Sequence, residues 1–382
     1  MPCGSTFSVG KAFPFSVLIF VVAVTSVLAP LHPLKAETRS VGEGATPPAY
    51  PAAKTGGNYM HNFYLPPPSS YPWWPSWSPD GKTLAFSMHG SIWRIRLGED
   101  VAHELTASST YDSSPEWSPD GRWIVYTAEE DGRSINLRLL DPATGDSRAL
   151  TEGEHLNLDP AWSPDGTRLA YVSTEPNGYF NIFMLPIGRE GRPGAPVPVT
   201  RDHRYGKSRL YFGDYDLHIE PTWSPDGKEL LFVSNRGIPL GSGALWRVPA
   251  KENGVDRMRQ IYREETLYRT RPHWSADGSR LVYSSHRGDQ FNHLYVLPAE
   301  GGEPYQMTFG DWDDFHPRWS PDGEHIAYIS NRKGLPALYV RETFGGAERE
   351  VAVREWRYRR PMGWLQVEVV DGESGSITPA RI

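Results

Sequence analysis

One heptapeptide pattern constrains the fold of this chain more than any other feature of its 382 residues. Successive copies are 40 to 61 residues apart, which is the period of architectures that stack one small supersecondary unit per repeat. The pattern is Pro-x-Trp-Ser-[Pro/Ala]-Asp-Gly, and its six copies begin at Pro75, Pro115, Pro160, Pro221, Pro272 and Pro317.

Each copy carries the residues of a tight turn and is followed by strands. Proline presets φ at the second position of a turn, and the glycine at the exit accepts a positive φ. Alternating apolar residues come next, as in Thr83-Leu84-Ala85-Phe86-Ser87, and then a third strand, as at 91–95. Shorter segments such as the one ending in Leu105-Thr106 supply a fourth strand. The sequence therefore predicts an all-β protein, a six-bladed β-propeller of four-stranded blades.

The motif tryptophans are predicted to be structural. A single blade cannot bury both faces of its sheet, so blades stack radially and a recurrent large ring packs between neighbouring sheets. The residues concerned are Trp77, Trp117, Trp162, Trp223, Trp274 and Trp319.

The first 36 residues are typical of a secretory signal segment. Lys11 precedes an apolar run from Phe15 to Leu28, and small-residue cleavage sites end at Ala29 and at Ala36. The alternative is an uncleaved membrane anchor, but the run is shorter than the ~20 residues that span a bilayer. We expect a periplasmic or secreted protein with no membrane span after cleavage.

The predicted organisation has four parts. A signal peptide at 1–36 and a Pro/Gly-rich lead at 37–70 precede the propeller at 71–360. Residues 361–382 read as a strand, a turn and the start of a second strand, a truncated C-terminal β-hairpin that begins a β-sandwich domain. Either the 59–65 segment or the strand at 365–370 is expected to complete the last sheet of the ring.

These repeats resemble those of the TolB-like propellers, whose units carry the WSPDG signature and are often called PD40 repeats. The resemblance covers roughly Tyr71 to Val353 and implies a module that binds an envelope protein, a peptide or a small polar ligand. The chain is also similar to the N-terminal propeller of longer bacterial amidohydrolase or PHP-type metal-dependent hydrolases. In that alternative the propeller is an accessory domain, and the catalytic ligands lie beyond Ile382.

Composition and missing motifs narrow the function further. The 39 Lys and Arg against 46 Asp and Glu give a net charge of −7 without basic blocks, so no nucleic-acid partner is expected. The single cysteine, Cys3, lies in the signal segment, and the sequence contains neither Gly-x-Ser-x-Gly nor His-Glu-x-x-His. The sequence shows no catalytic residue and no evident cofactor, so any hydrolase activity depends on a further C-terminal domain.

The binding face is predicted opposite the Ser-Pro-Asp-Gly turns, where the linkers between repeats and the second-to-third turns lie. The longest linker supplies alternating Asp216, His218 and Glu220. Carboxylates and imidazoles converging at the channel mouth are able to hold a divalent metal or a polar ligand, and arginine forks match carboxylates or pair with those same acids. The candidate ligand-binding residues are Asp216, His218, Glu220, Arg269, Arg271, Asp313, Asp314 and His316.

The pattern Ser-[Asn/His]-Arg recurs in three of the turns between the second and third strands of a repeat, and it ends at Arg236, Arg287 and Arg332. Its repetition favours a structural role in forming the turn. The alternative is a set of arginines arranged around an anionic ligand.

Overall fold

The computed structural model describes residues 5–6, 17–22, 50, 52–54, 71–359 and 366–371; within 71–359, residues 131, 176, 208, 210–212, 240–242, 265–269 and 289 are excepted. The chain divides into two compact units, Thr46–Arg359 and Met1–Ala45 with Arg360–Ile382. The smaller unit holds a three-stranded sheet in the order β1-β2-β28, formed by β1 (Ser5–Thr6), β2 (Val17–Val22) and β28 (Gln366–Asp371).

The larger unit is a six-bladed β-propeller, which confirms the predicted fold class. Each blade is an antiparallel sheet whose strands follow one another in chain order. The first three blades are β3 (Trp73–Trp77), β4 (Thr83–Met88), β5 (Ser91–Arg96), β6 (Val101–Glu104); β7 (Tyr111–Trp117), β8 (Ile124–Glu130), β9 (Ser134–Leu140), β10 (Ser147–Ala149); and β11 (Asn157–Trp162), β12 (Arg168–Ser173), β13 (Asn181–Pro186), β14 (Val197–Pro198).

The last three blades follow the same plan, with a short 3-10 helix at Gly254–Arg257 in the fourth blade. Their strands are β15 (His218–Trp223), β16 (Glu229–Ser234), β17 (Ala244–Pro249), β18 (Arg259–Tyr262); β19 (His273–Trp274), β20 (Arg280–Ser285), β21 (His293–Pro298), β22 (Tyr305–Gln306); and β23 (Asp314–Trp319), β24 (His325–Ser330), β25 (Ala337–Glu342), β26 (Glu348–Glu350).

The repeated motif forms the turn between the first and second strands of each blade. In the first copy the Ser78 hydroxyl donates to Asp80 at 2.6 Å and accepts the backbone N–H of Thr83 at 3.0 Å. Gly81 closes the turn at φ 67°, which an L-residue rarely adopts. The same serine–aspartate bond recurs in the other five copies, so one local hydrogen-bond pattern builds all six corners.

The motif tryptophans lie between neighbouring blades. Three of their indole N–H groups donate to the backbone carbonyl just before the tryptophan of the preceding blade: Trp77 to Arg318, Trp162 to Glu116 and Trp223 to Ala161. The bond from Trp77 joins the first blade to the sixth. Phe315 and Ile329 of the sixth blade share one apolar cluster with Trp73 and Phe86 of the first, so the ring is closed by packing as well.

The last blade of the ring does not use the strand at 365–370 that was expected from the sequence to complete it. A further strand, β27 (Glu355–Arg357), pairs in parallel with β6 as a fifth, outer strand of the first blade, while the sixth blade is complete with its own four strands. Addition of β27 to the first blade buries apolar surface, because Trp356 packs edge-on against Trp93 with 5.3 Å between their ring centroids. The segment 366–371 pairs with β2 instead, and the segment 59–65 lies outside the described residues.

The predicted terminal segments are described only in part. The strand expected in the C-terminal hairpin exists as β28, but its partner is Val17–Val22, and the second arm of the hairpin lies outside the described residues. Within the described part of the chain, no helix combines the length and the apolar character needed to cross a membrane. In the lead, Tyr50 is buried among residues such as Leu156 and Phe180, and the Lys54 N–H donates to the Gly178 carbonyl at 2.9 Å.

Candidate functional site

One residue from each blade, directly before the motif proline, adopts the same unusual backbone conformation. These residues have φ between 41° and 53° although none is glycine, and five of the six inner strands show a register shift at this point. Such a conformation costs of order 1–3 kcal/mol per residue and persists where neighbouring groups fix it. The six residues, called here the axial ring, are Trp74, Ser114, Asp159, Glu220, Arg271 and His316.

Hydrogen bonds between adjacent blades hold the axial ring. The Glu220 N–H donates to Asp159 at 3.2 Å, and the Arg271 N–H donates to Glu220 at 2.8 Å. The Arg271 guanidinium donates to Asp159 at 2.7 Å and lies 5.3 Å from the centroid of Trp74. Trp74 in turn stacks on His316 at 5.6 Å. The ring is therefore a compact polar and aromatic layer.

Burial sets the protonation of the axial ring. Desolvation raises the pKa of the Glu220 carboxyl to about 7, an effect that nearby Asp159 reinforces and Arg271 opposes. The side chains of Asp159, Glu220 and Arg271 are no more than 7% exposed. Arg271 thus contacts both buried acids, and the charge of Arg318 also opposes the rise in the pKa of Glu220.

A cavity of about 480 Å³ opens on the Ser-Pro-Asp-Gly face, opposite the face on which the sequence predicts binding, with residues of all six blades in its wall. Motif prolines, tryptophans and serines line it, and its charged and imidazole groups come from the x position of Pro-x-Trp. We call this cavity the axial funnel; the residues that define it are Ser76, Glu116, His273, Arg318, Trp77, Trp117, Trp223, Trp274, Trp319, Pro79, Pro119, Pro164, Pro225, Pro321, Ser118, Ser275, Ala276 and Ser320.

The funnel presents one acid and one guanidinium. Arg318 donates through Nη1 to the Arg271 carbonyl at 3.2 Å, which places it directly over the axial ring. Burial raises the pKa of Glu116, while Arg318 and Arg271 act against that rise. His273 accepts the Trp319 N–H through Nδ1 at 3.3 Å, and burial together with Arg318 lowers its pKa to about 3. The histidine is therefore a neutral acceptor.

The residues predicted in the long linker are not all brought to the axis. Glu220 belongs to the axial ring, whereas Asp216 is a buried partner of His203 at 2.7 Å and of Arg209. His218 is buried beside Phe232, and desolvation lowers its pKa to about 4. The alternation expected along 216–220 breaks at the register shift between Ile219 and Thr222, which turns Glu220 away from the line of the other two.

The candidates predicted just before the fifth and sixth motifs lie in different places. Arg271 of the fifth blade and His316 of the sixth belong to the axial ring. Asp314 is a buried partner of Arg332 at 3.4 Å, and Asp313 accepts from Asn292 and Asn331. Arg269 lies outside the described residues.

The predicted metal ligands do not form a cluster. Among the described residues, Asp322, Glu324 and His325 are the only group of three or more His, Cys, Asp or Glu whose potential ligand atoms all lie within 4.8 Å of one another. They sit on an exposed motif turn and were not in the predicted set.

The candidates predicted from the linkers did not include Glu116, His273 and Arg318. These residues occupy the x position of Pro-x-Trp, which differs in every copy of the motif although the proline and tryptophan on either side repeat.

The ring of six blades around an axial cavity defines the class of this protein as a six-bladed β-propeller. The family model described as the TolB beta propeller domain matches residues 71–192 and 259–366, and the chain belongs to this family.

Two proteins of similar sequence are relatives of this chain. An uncharacterized protein of Agrobacterium fabrum is 27% identical over 239 residues, 60% of this chain and 73% of that protein. The Tol-Pal system protein TolB of Anaeromyxobacter dehalogenans is 29% identical over 120 residues, 31% of this chain. That match spans only 25% of the TolB protein.

Among solved structures, TolB from Acinetobacter baumannii is similar, with a TM-score of 0.55 and 19% identity. The match covers 81% of this chain and 68% of that one. At this identity the likeness establishes the fold.

Proposed function

We propose that this chain is an exported binding propeller without catalysis of its own, and that its axial funnel takes a polar segment of an envelope protein. The observation that carries the proposal is the funnel itself, in which Glu116 and Arg318 face one cavity inside a rim of prolines and tryptophans. Relationship to the Tol-Pal system protein TolB supports a protein as the ligand.

The chemistry of the funnel fits a peptide segment. Arg318 keeps donors that have no partner among the described residues, and Glu116 offers carboxylate oxygens. A segment with both N–H donors and oxygen acceptors satisfies the two groups together, whereas a simple ion leaves one of them unpaired. The flat rings of the rim supply apolar contact area around these polar groups.

The rigidity of the funnel favours recognition without rearrangement. Its polar side chains sit on inner strands that are fixed by the motif turns and by hydrogen bonds between blades, such as the Trp117 N–H to Ser76 at 3.0 Å. Binding groups held by such a scaffold lose little entropy when a ligand arrives.

Site-specific photo-crosslinking in host cells tests this proposal. A photoreactive residue replaces exposed Ala276 in the funnel wall, or, as a control, exposed Lys82 on the same face. We expect a discrete protein adduct from position 276 that is absent from position 82. Arg318→Gln removes the adduct, whereas Arg280→Gln, an exposed arginine on the same face and outside the funnel, retains it. No adduct at position 276, or one that ignores Arg318, overturns the proposal.

Export has a separate test. We propose that the signal segment is removed after Ala29 or Ala36 and that the mature protein is periplasmic or secreted. Mass spectrometry of the N-terminal peptide from the fractionated host distinguishes these sites from an intact Met1 in the cytoplasm, the result that contradicts export.

A further inference from the structure

The second-to-third turns of the last three blades repeat an arginine, and its partners differ between blades. In the fifth blade Arg287 lies 3.4 Å from Glu303, and in the sixth Arg332 lies 3.4 Å from Asp314 and bonds to Glu348. In the fourth blade Arg236 has no carboxylate within 4.0 Å among the described residues, and its Nη1 lies 3.3 Å from the sulfur of Met258. The fourth blade thus lacks the acid that its neighbours supply.

An aromatic residue beside the same turn shows the same contrast. Tyr295 of the fifth blade donates to the Arg287 carbonyl at 3.0 Å, and Tyr339 of the sixth donates to Glu350 at 3.3 Å. Trp246 occupies the matching strand position in the fourth blade, and its buried indole N–H has no acceptor within the described part of the chain. This blade therefore holds a guanidinium with no carboxylate partner and an indole N–H with no acceptor among the described residues.

Arg236 and Trp246 line a cavity of about 280 Å³. Val255 and Met258 form an apolar part of its wall. The acids in the wall are already engaged, since Asp256 pairs with Arg201 at 2.6 Å and Asp202 accepts from Asn181 at 2.7 Å. Arg236 is therefore the cation of the wall that no carboxylate within 4.0 Å neutralises among the described residues, while Asp202 keeps a negative charge that only neutral amides contact.

His203 also lines this cavity, and buried Asp216 holds its imidazole in place. Its Nδ1 lies 2.7 Å from Asp216, whose side chain is fully buried and whose other oxygen binds Arg209. Backbone bonds from Asp216 to His203 and from Tyr205 to Asp214 shape this linker into a hairpin. In the neutral tautomer whose Nδ1 donates to Asp216, Nε2 is an acceptor, and that atom has no partner among the described residues.

We infer that this cavity binds an N-acylated amino acid carboxylate with an apolar side chain, as found at the carboxyl terminus of a peptide. Arg236 receives the carboxylate in a two-pronged contact, and Trp246, Val255 and Met258 contact the apolar side chain. His203 Nε2 accepts the amide N–H next to the carboxylate. A monoanion is favoured over a phosphate dianion because Asp202 and Asp256 share the cavity wall and repel added negative charge.

The inference is independent of the axial funnel, which lies on the opposite face of the propeller. Isothermal titration calorimetry of the full chain tests it with N-acetyl-leucine and with N-acetyl-leucinamide, which lacks the charge. We expect the carboxylate to bind and the amide to bind about tenfold more weakly or worse. Heat absent with N-acetyl-leucine, or equal affinity for the two probes, overturns the proposal.

Two matched variants distinguish the specific contact of Arg236 from the effect of removing any positive charge on this face. Arg236→Gln is expected to weaken N-acetyl-leucine binding about tenfold or more, whereas Arg287→Gln, the same turn position with its own acid, leaves it unchanged. Equal losses in both variants contradict the site. Thermal melting of each variant identifies any that fail to fold, and Arg236→Lys then serves as a milder change with an intermediate loss.

The role of His203 has its own readout. His203→Ala is expected to weaken N-acetyl-leucine but not 4-methylpentanoate, which keeps the carboxylate and the side chain but has no N–H. Equal weakening of both probes overturns the assigned hydrogen bond.

Discussion

Replacing Arg271 by methionine is expected to destabilise the propeller strongly, because it removes the cation that directly contacts two buried acids of the axial ring. The Arg271 side chain is 7% exposed and those of Asp159 and Glu220 are 1% and 5% exposed, so water cannot take its place. Breaking a buried ion pair by removing one partner costs about 3–5 kcal/mol. We expect this loss at pH 8 and a smaller one at pH 5.5, where Glu220 with a pKa near 7 is already protonated.

Urea denaturation followed by tryptophan fluorescence measures the effect as a free energy of unfolding. Arg204→Gln is the control, since its ion pair with Asp214 is 68% and 55% exposed and such pairs contribute about 0–1 kcal/mol. Adding Asp159→Asn to Arg271→Met is expected to restore part of the stability by removing one orphaned charge. An Arg271→Met variant within about 1 kcal/mol of the parent at pH 8, or a double variant no more stable than the single one, refutes the reasoning.

Two further predictions concern the ring and its closure. The pKa of Glu220 is raised from 4.5 to about 7, so the folded state holds this proton more tightly and its contribution to stability falls as pH rises from 4.5 to 7, by about 3 kcal/mol. Urea denaturation across this range should show a shallower decline for Glu220→Gln, and identical pH dependence contradicts the assignment. Trp356→Ala is expected to cost about 3 kcal/mol by removing the packing of β27 on the first blade, against about 0.5 kcal/mol or less for exposed Arg357→Ala on the same strand. Equal melting temperatures of the two variants would show that β27 does not stabilise the ring.

The architecture was predictable because it is encoded locally and repeatedly. Each motif contains its own serine–aspartate bond and its own positive-φ glycine, and six copies leave little choice of assembly. The closing strand was not predictable from pattern, since the three residues of β27 show no periodicity and pair in parallel with a strand some 250 residues earlier in the chain.

The site was predictable only in part, for a geometric reason. The structure places Glu220, Arg271 and His316 in the axial ring, but strand alternation alone did not separate them from Asp216, His218 and Asp314. The extra residue in the inner strand redirects one side chain at each bulge, and periodicity carries no information about where such a bulge falls. Comparing the six repeats with one another, column by column, would have shown Glu116, His273 and Arg318 as variable positions between invariant ones.

The corners of the propeller and the residues at its axis are specified by different positions of the repeat. Six segments bring a tryptophan, a serine, an aspartate, a glutamate, an arginine and a histidine to the axis in one backbone conformation, so the backbone does not specify the side chain. Two positions per blade, the residue before the proline and the x of the motif, therefore differ among the six copies while the corners repeat, although the ion pair of Arg271 shows that a substitution in the ring also affects stability. Relatives that share the corner motif but differ at these twelve positions are expected to differ in ligand.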